Sequence, residues 1–512
     1  MHSHTLLGID LGTSALKAVL VTDQGRFIAS ASRAYPIRRP RPDRAEQDPS
    51  TWWDALVGCM GALRDRGVVE GVQAIGLSGQ MHGTVLLDRQ GRPLGPAVIW
   101  PDRRSISQVA RFGQQVGLER LIRIAGSPPA TGFMAGTLAW FQEHEPQLWA
   151  RVRHVLLPKD FLRLRLTGEM ATDPSDASGT LLLDVGQRTW SPEMLAAAGV
   201  RPALLPQIRP SAQVAGFLTQ EAATALGLAA GTPVVTGGGD TACSALAAAA
   251  VSPGTLLLTL GTGGQLVWPV DRPQVDLQGR IHTFCHVLEP GVDRAGWYQM
   301  GATLAAGMAL AWLREKVFGL SGEDAYAEMT SWAQEIPPGA QGLLFLPYLV
   351  GERTPHMDPQ ARGVFLGLTP SHGRGHLVRA VMEGVALALF DAFQVLAELG
   401  AVPRAGILAG GGSRSRLWRQ MVADIFGLSV RPLQTAEQSA TGAALLAGAG
   451  LGWFDPADAA RQWAALGPVE GPDPGRRARY RALGAVYRAL YPRLRDLFPG
   501  LAEPDRAPEA DP

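Results

Sequence analysis

Asp240 closes the run Gly237-Gly238-Gly239, behind the apolar segment Pro233 to Thr236 and ahead of the helix-like run Thr241 to Ala250. Three glycines let the backbone come close to a ligand. A carboxylate at a strand end can accept a proton from a hydroxyl that attacks a phosphoryl group. An aspartate in this place also serves as a helix N-cap, and the two roles are compatible. Asp10 lies in Gly8-Ile9-Asp10-Leu11-Gly12-Thr13-Ser14, beside a glycine turn whose amides and hydroxyls can approach phosphate oxygens. That position suits a carboxylate linked to magnesium, or equally a simple turn aspartate. The arrangement recurs at Gly261-Thr262-Gly263-Gly264, between Gly254–Leu260 and Gln265–Trp268. Each glycine turn leads into another strand, which excludes a dinucleotide fingerprint, and no Walker-type phosphate loop occurs. Two hairpin turns of this kind would make a phosphate clamp.

Two further clusters carry polar or glycine chemistry. Gly410-Gly411-Gly412-Ser413 follows the apolar Ile407-Leu408 and precedes a helical pattern with Trp418 and Met421. It reads as a tight helix-packing site or as backbone against which a flat adenosine lies. Ser78-Gly79-Gln80-Met81-His82-Gly83 gathers hydrogen-bonding groups at the end of Ala74–Leu77, a composition suited to a polyol, although a histidine there can equally be structural.

These residues need strands and helix starts to hold them. The first thirty residues alternate apolar runs with turn residues and predict three antiparallel strands joined by two hairpins. The strand, Gly-Thr turn, strand unit returns half a chain later, which predicts two related α/β domains with a boundary near Ala250. The expected division is residues 1–248, 249–490 and a frayed tail at 491–512. Helical patterns such as Leu377 to Leu399 alternate with short strands at Ala74–Leu77, Val234–Thr236 and Ile407–Leu408.

At 512 residues the chain has ample material for two cores. With 46% hydrophobic residues, 18% charged and a net charge of +1, it lacks the basic footprint of a nucleic-acid binder. Lys17, Lys159 and Lys316 are the only lysines, a bias read as compositional. Cys59, Cys243 and Cys285 are widely spaced, so neither a disulfide framework nor a zinc site is expected, and a reducing cytoplasm fits. No basic leader or stretch of about 18 apolar residues is evident, so the expectation is a protein neither exported nor membrane-spanning. A homodimer is compatible with the sequence.

Together these segments resemble the FGGY carbohydrate kinases, and within them the xylulose-phosphorylating branch. Gly8–Ser14 resembles the first phosphate segment, Gly237–Asp240 the catalytic one and Gly410–Ser413 the adenosine one. Gly363-x-Phe365-x-Gly367-Leu368, then His376-Leu377 and Ala380-Val381-Met382-Glu383, satisfies the carboxy-terminal signature. Gly79-Gln80-Met81-His82-Gly83 is similar to that branch's sugar loop. Glu46-Gln47-Asp48-Pro49 with Trp52-Trp53, Leu157-Pro158-Lys159-Asp160 and Gly351-Glu352-Arg353-Thr354-Pro355-His356 add to the likeness.

The resemblance implies two ribonuclease H-like, actin-like ATPase domains around a closing central cleft. It also implies transfer of the ATP γ-phosphoryl to O5 of D-xylulose. Asp240 would be the general base, Asp10 would help Mg2+, and Met81, His82 and Asp240 would meet the sugar. Gly12, Thr13, Ser14, Gly261 and Thr262 would meet phosphates. Gly307, in the helix-like run Gly301 to Trp312, would join Gly411 and Gly412 beside the adenosine. Four places depart from the pattern: Thr137 for a lysine, Thr241 for an asparagine, Gly263 for a serine, and Trp100-Pro101-Asp102-Arg103 for Trp-Asn-Asp-Gly. They bear on which sugar is bound more than on phosphoryl transfer. A kinase for another pentulose or a polyol such as ribulose or glycerol, a silent sugar or nucleotide sensor, and an actin-like assembly protein are the competing expectations.

Overall fold

The computed structural model describes residues 4–322, 324–435 and 437–501. The chain forms two compact units. The first comprises 1–253, 269–299 and 434–465, and the second comprises 254–268, 300–433 and 466–512. A single cut near residue 250 therefore gives way to a chain in which a late segment, 434–465, belongs to the first unit.

The first unit is built on β1 (Thr5–Leu11), β2 (Ala15–Thr22), β3 (Phe27–Ala34), β4 (Val72–Gly79), β5 (Val214–Phe217), β6 (Pro233–Val235) and β7 (Gly238–Gly239). The order is β5-β6-β4-β1-β2-β3, with β7 added beside β4. The two predicted hairpins are present as antiparallel β1–β2 and β2–β3 pairs. Helix Pro49–Arg64 packs Trp52, Leu56 and Met60 into the core formed by Leu7, Ile9, Leu20 and Ile75. Its start is capped by the Asp48 carboxylate, which accepts from the Ser50 amide at 2.9 Å.

Helix Gln438–Gly450 explains the return of the late segment. Its backbone lies directly on β1 and β4: a Cβ at Gly8 would stand 1.8 Å from the Ala440 carbonyl oxygen, and one at Gly76 1.8 Å from that of Ala443. Gly442 meets the Cys243 carbonyl as closely, at 2.0 Å. Only glycine admits this approach of helix to strand. Such contact between residues hundreds of positions apart leaves no periodic signal in sequence.

The second unit repeats the hairpin as β8 (Thr255–Leu260) and β9 (Gly264–Val270), antiparallel, after which the chain runs through β10 (Trp297–Thr303). β11 (Ala405–Ala409) lies parallel to β8, and β12 (Val430–Pro432) parallel to β11. The run expected to be helical from Gly301 begins instead as strand, because residues 301–303 complete β10 and are buried; the helix is Gly307–Trp312. Helix Arg374–Glu398 is apolar and long enough to cross a membrane, yet 83% of its apolar window is buried inside the protein, the mark of a core helix.

The expected frayed tail is ordered through residue 501. Helix Pro474–Leu494 continues past 490, Tyr491 stacks on His356 at 3.6 Å, and Phe498 is buried. The remainder of that tail, 502–512, lies outside the described residues. Cys59, Cys243 and Cys285 are free and buried.

Candidate active site

Parallel strand register brings the two candidate carboxylates of the first unit to one sheet edge. Asp10 on β1 pairs with Ser78 on β4, and Ser78 pairs with Gly238 on β7, two residues before Asp240. In open α/β sheets the carboxyl ends of parallel strands are where ligands bind. Gly237 takes a φ of +81°, and a Cβ there would stand 2.1 Å from the Leu77 carbonyl, so the run before Asp240 can thread only as glycine. Asp240 is the first residue of helix Asp240–Ala247, whose N-cap is Gly239; its carboxylate instead accepts from the Thr241 amide at 2.6 Å and hydroxyl at 3.2 Å.

Both carboxylates keep part of their surface open while protein packs closely around them. Burial lifts Asp240 to about 6, against the two Thr241 hydrogen bonds that lower it. Burial and then the charge of Asp240 lift Asp10 to about 7, opposed by the hydrogen bond from Ser78 and the charge of Lys17. At neutral pH Asp240 is largely ionised and able to take a proton, while Asp10 is poised to gain from a nearby cation.

A polar recess of about 260 Å³ opens beside Asp10 and is lined by Lys17, Ser244, Glu437, Gln438 and Ser439. The Lys17 ammonium lies 2.7 Å from Glu437. Its carboxylate, hydroxyl and amide oxygens are the hard donors that Mg2+ prefers. Among the described residues no trio of His, Cys, Asp or Glu cages a metal, which fits an ion held by one carboxylate together with substrate phosphates.

Met81 and His82 extend the site away from Asp10. The Met81 side chain lies over Gly239, where a Cβ would be 3.0 Å from its Cγ. His82 has a φ of +73°, and its Nδ1 donates to the Gly179 carbonyl at 2.7 Å. Its ring packs on Phe133 at 4.2 Å, with Phe284 beyond at 6.1 Å. An imidazole packed on an aromatic ring, next in sequence to the methionine over Gly239, suits a polyhydroxyl ligand.

Side chains that motif reading passed over support the first Gly-Thr turn. Trp100 Nε1 donates to the Thr13 hydroxyl at 2.9 Å, Gln47 Nε2 to the Thr13 carbonyl at 2.7 Å, and Gln80 Nε2 to Gln47 at 2.8 Å. The signal for Gln47 and Trp100 was their place in segments already noticed. Of the departures, Thr137 is buried in helix Met134–His144 with its hydroxyl turned to the Phe133 carbonyl, whereas Arg103, in place of a glycine, is exposed and its amide donates to the Asp43 carbonyl at 2.8 Å. Gly12, Thr13 and Ser14 all stand in the turn between β1 and β2.

The second unit holds a cavity of about 1040 Å³ whose wall includes Gly261, Thr262, Gly307, Gly411 and Gly412. All five were singled out from sequence. The Gly307 amide donates to the Gly261 carbonyl at 2.7 Å and the Ala306 amide to that of Thr262 at 2.9 Å, so the second Gly-Thr turn and a helix start are locked together. Gly410, at φ +82°, turns the chain into Gly411–Arg414, and Ser415 then caps helix Arg416–Phe426. Met382 and Trp418 supply apolar surface, a mixture suited to a base and ribose. Gly263 stands where a Cβ would be 2.8 Å from the Thr303 carbonyl, a physical reason for glycine in place of serine.

Family models decide what this pair of sites belongs to. Residues 5–247 match the amino-terminal domain of the FGGY family of carbohydrate kinases and residues 256–451 match its carboxy-terminal domain. The chain is an FGGY carbohydrate kinase. It is 42% identical to a xylulose kinase of Escherichia coli over 82% of this chain and 84% of that protein. It is 35% identical to one of Bacillus subtilis over 96% and 97%. Among solved structures, a xylulose kinase of Brucella ovis superposes with a TM-score of 0.90 at 36% identity, covering 96% and 100% of the two chains. A gluconate kinase of Lactobacillus acidophilus reaches 0.91 at 28% identity, covering 98% and 100%. This FGGY kinase is thus a sugar phosphotransferase that uses ATP, which the sensor and assembly expectations are not.

Proposed function

We propose that this kinase transfers the γ-phosphoryl group of ATP to O5 of D-xylulose. The observation that carries the proposal is the contiguity of Met81, packed over Gly239, with Asp240 and with His82 in a similar sugar loop. The names of the most similar relatives support the same sugar. In this reading the first unit holds the sugar and the second the nucleotide.

Asp240, ionised, accepts the proton of the O5 hydroxyl as that oxygen forms its bond to the γ-phosphorus. The bond from the γ-phosphorus to the bridging oxygen of ADP breaks, and ADP leaves with the electron pair. The His82 ring meets the sugar, and Met81 excludes water from the reacting oxygen. The amides of the Gly12–Ser14 and Gly261–Thr262 turns hold phosphate oxygens, and Gly307, Gly411 and Gly412 form the wall for adenosine. Mg2+, held on the Asp10 side, would neutralise charge on the transferred group. Most of the rate then comes from positioning and electrostatics.

ADP release measured over ketoses, polyols and sugar acids tests the sugar. D-xylulose should give the highest kcat/KM; faster turnover on ribulose, glycerol or gluconate would overturn the assignment while leaving the kinase intact.

A further inference from the structure

Behind Asp240 the first unit buries a charge cluster that the reaction does not use. Lys159, in helix Pro158–Thr167, has no exposed surface and places Nζ 2.6 Å from Asp160, 3.0 Å from Asp173 and 3.5 Å from Asp176. Arg163 adds a second buried cation 2.9 Å from Asp160. Burial alone would depress Lys159, but the three carboxylates outweigh it and hold it above the usual lysine range. Asp176 is raised far above the usual carboxylate range by burial, against Lys159 and with Asp160, Asp173 and Asp240 adding to the rise.

Burying such charges is costly, and removing them for apolar packing often stabilises a protein, so stability does not explain the cluster. Its outward contacts point elsewhere. Arg163 Nη1 donates to the Thr236 carbonyl at 2.9 Å. The Gly237 amide donates to the Ser211 carbonyl at 2.9 Å, and the Ser211 hydroxyl donates to Asp173 at 2.9 Å. The Gly239 amide donates to the Ser175 hydroxyl at 3.0 Å, and that hydroxyl donates to Asp173. Three of the four residues leading into Asp240 are thus tied to one ion-paired centre.

We infer that Lys159, Asp173 and Ser175 form a positioning device that fixes the glycine run and so aims the Asp240 carboxylate. The inference rests on Asp240 as the base. The glycines cannot be stiffened by side chains, since a Cβ at Gly237 would stand 2.1 Å from the Leu77 carbonyl oxygen and one at Gly238 2.3 Å from Val287. Hydrogen bonds to a rigid buried centre supply the constraint instead. Lys159 holds Asp173, Asp173 orients the Ser175 hydroxyl, and Ser175 receives the Gly239 amide.

The test is a double-mutant cycle between Ser175→Ala and Asp240→Asn in the full-length kinase, with kcat and KM for D-xylulose and ATP measured for each. Ser175→Ala should lower kcat about 10- to 100-fold with both KM values within about threefold, and Ser175→Cys should recover part of the loss. In the double variant, Ser175→Ala should cost nothing beyond Asp240→Asn, because a misaimed base that is already absent has no further effect. If Ser175→Ala lowers the residual Asp240→Asn rate by the same factor as in the wild type, or leaves wild-type kcat unchanged, the positioning role is overturned. If Asp240→Asn itself turns over normally, the assignment of the base fails instead. Should Ser175→Ala not fold, Ser175→Cys carries the same cycle, with the same outcomes deciding.

Discussion

Asp240→Asn should lose activity and gain stability at once. The Asp240 pKa of about 6 stands about two units above the ordinary 3.8, with burial the leading cause. At about 1.4 kcal/mol per unit the ionised carboxylate costs the fold up to about 3 kcal/mol, and partial solvent access reduces this to about 1–2 kcal/mol. The sign follows from linkage. A folded pKa raised above the unfolded one favours the folded state while the group is protonated, so that contribution is complete below about pH 4 and lost as pH rises through about 6. Asparagine does not titrate. The variant should therefore melt about 2–3 °C above wild type at pH 8, and the gap should close towards pH 4, in thermal melts without nucleotide or Mg2+. Its kcat should fall by about 10²- to 10⁴-fold while D-xylulose still binds, as loss of a general base requires. Turnover within threefold of wild type would refute the catalytic role. A melting gain equal at pH 8 and pH 4 would refute the electrostatic account of the site.

Three more expectations concern separate parts of the molecule. Wild-type kcat/KM for D-xylulose should fall about tenfold per pH unit below about pH 6, where Asp240 of the free protein gains its proton, a limb that a pH–rate profile of Asp240→Asn should lack. His82→Leu keeps apolar packing on Phe133 but removes the polar ring; KM for D-xylulose should rise about tenfold with KM for ATP unchanged, measured by steady-state kinetics. Gly411→Val should raise KM for ATP about tenfold and leave sugar binding intact. A Cβ at Gly411 meets no protein atom within 4 Å, so the added methyls enter the nucleotide cavity.

The hairpins and glycine junctions were legible because their causes are local. Turn residues, the apolar runs buried in β1 and β2 and helix starts all lie within a few positions of one another. Gly261, Thr262, Gly411 and Gly412 line one cavity for the same reason; Gly307, placed there by the resemblance, joins them, whereas Gly12, Thr13 and Ser14 are not in its wall. Helix Arg374–Glu398 appeared within three residues of its ends. Illegible were features fixed by distant contacts: the return of 434–465 to the first unit, Gln47 and Trp100 on the first turn, and the strand character of residues 301–303. One signal was present but read as composition. In a chain with 47 basic residues only three are lysine, and two of these, Lys17 and Lys159, pair with carboxylates in the first unit.

Those two lysines show why arginine, used almost everywhere else in this chain, does not serve. Lys159 meets three carboxylates in a space without any solvent exposure. Its ammonium donates to Asp160 and pairs by charge with Asp173 and Asp176, a task for a compact point charge, whereas a planar guanidinium requires acceptors arranged along its fork. Arg163 occupies the complementary situation: it reaches Asp160, the Thr236 carbonyl and the Ala171 carbonyl, acceptors that are spread out. The division of labour makes a discriminating expectation for Lys159→Arg. The substitution conserves charge. The larger head should displace Asp173 and, through Ser175, loosen the Gly239 amide. Loss of kcat with retained fold and unchanged KM would then follow from geometry alone, separating the shape of the buried centre from its charge.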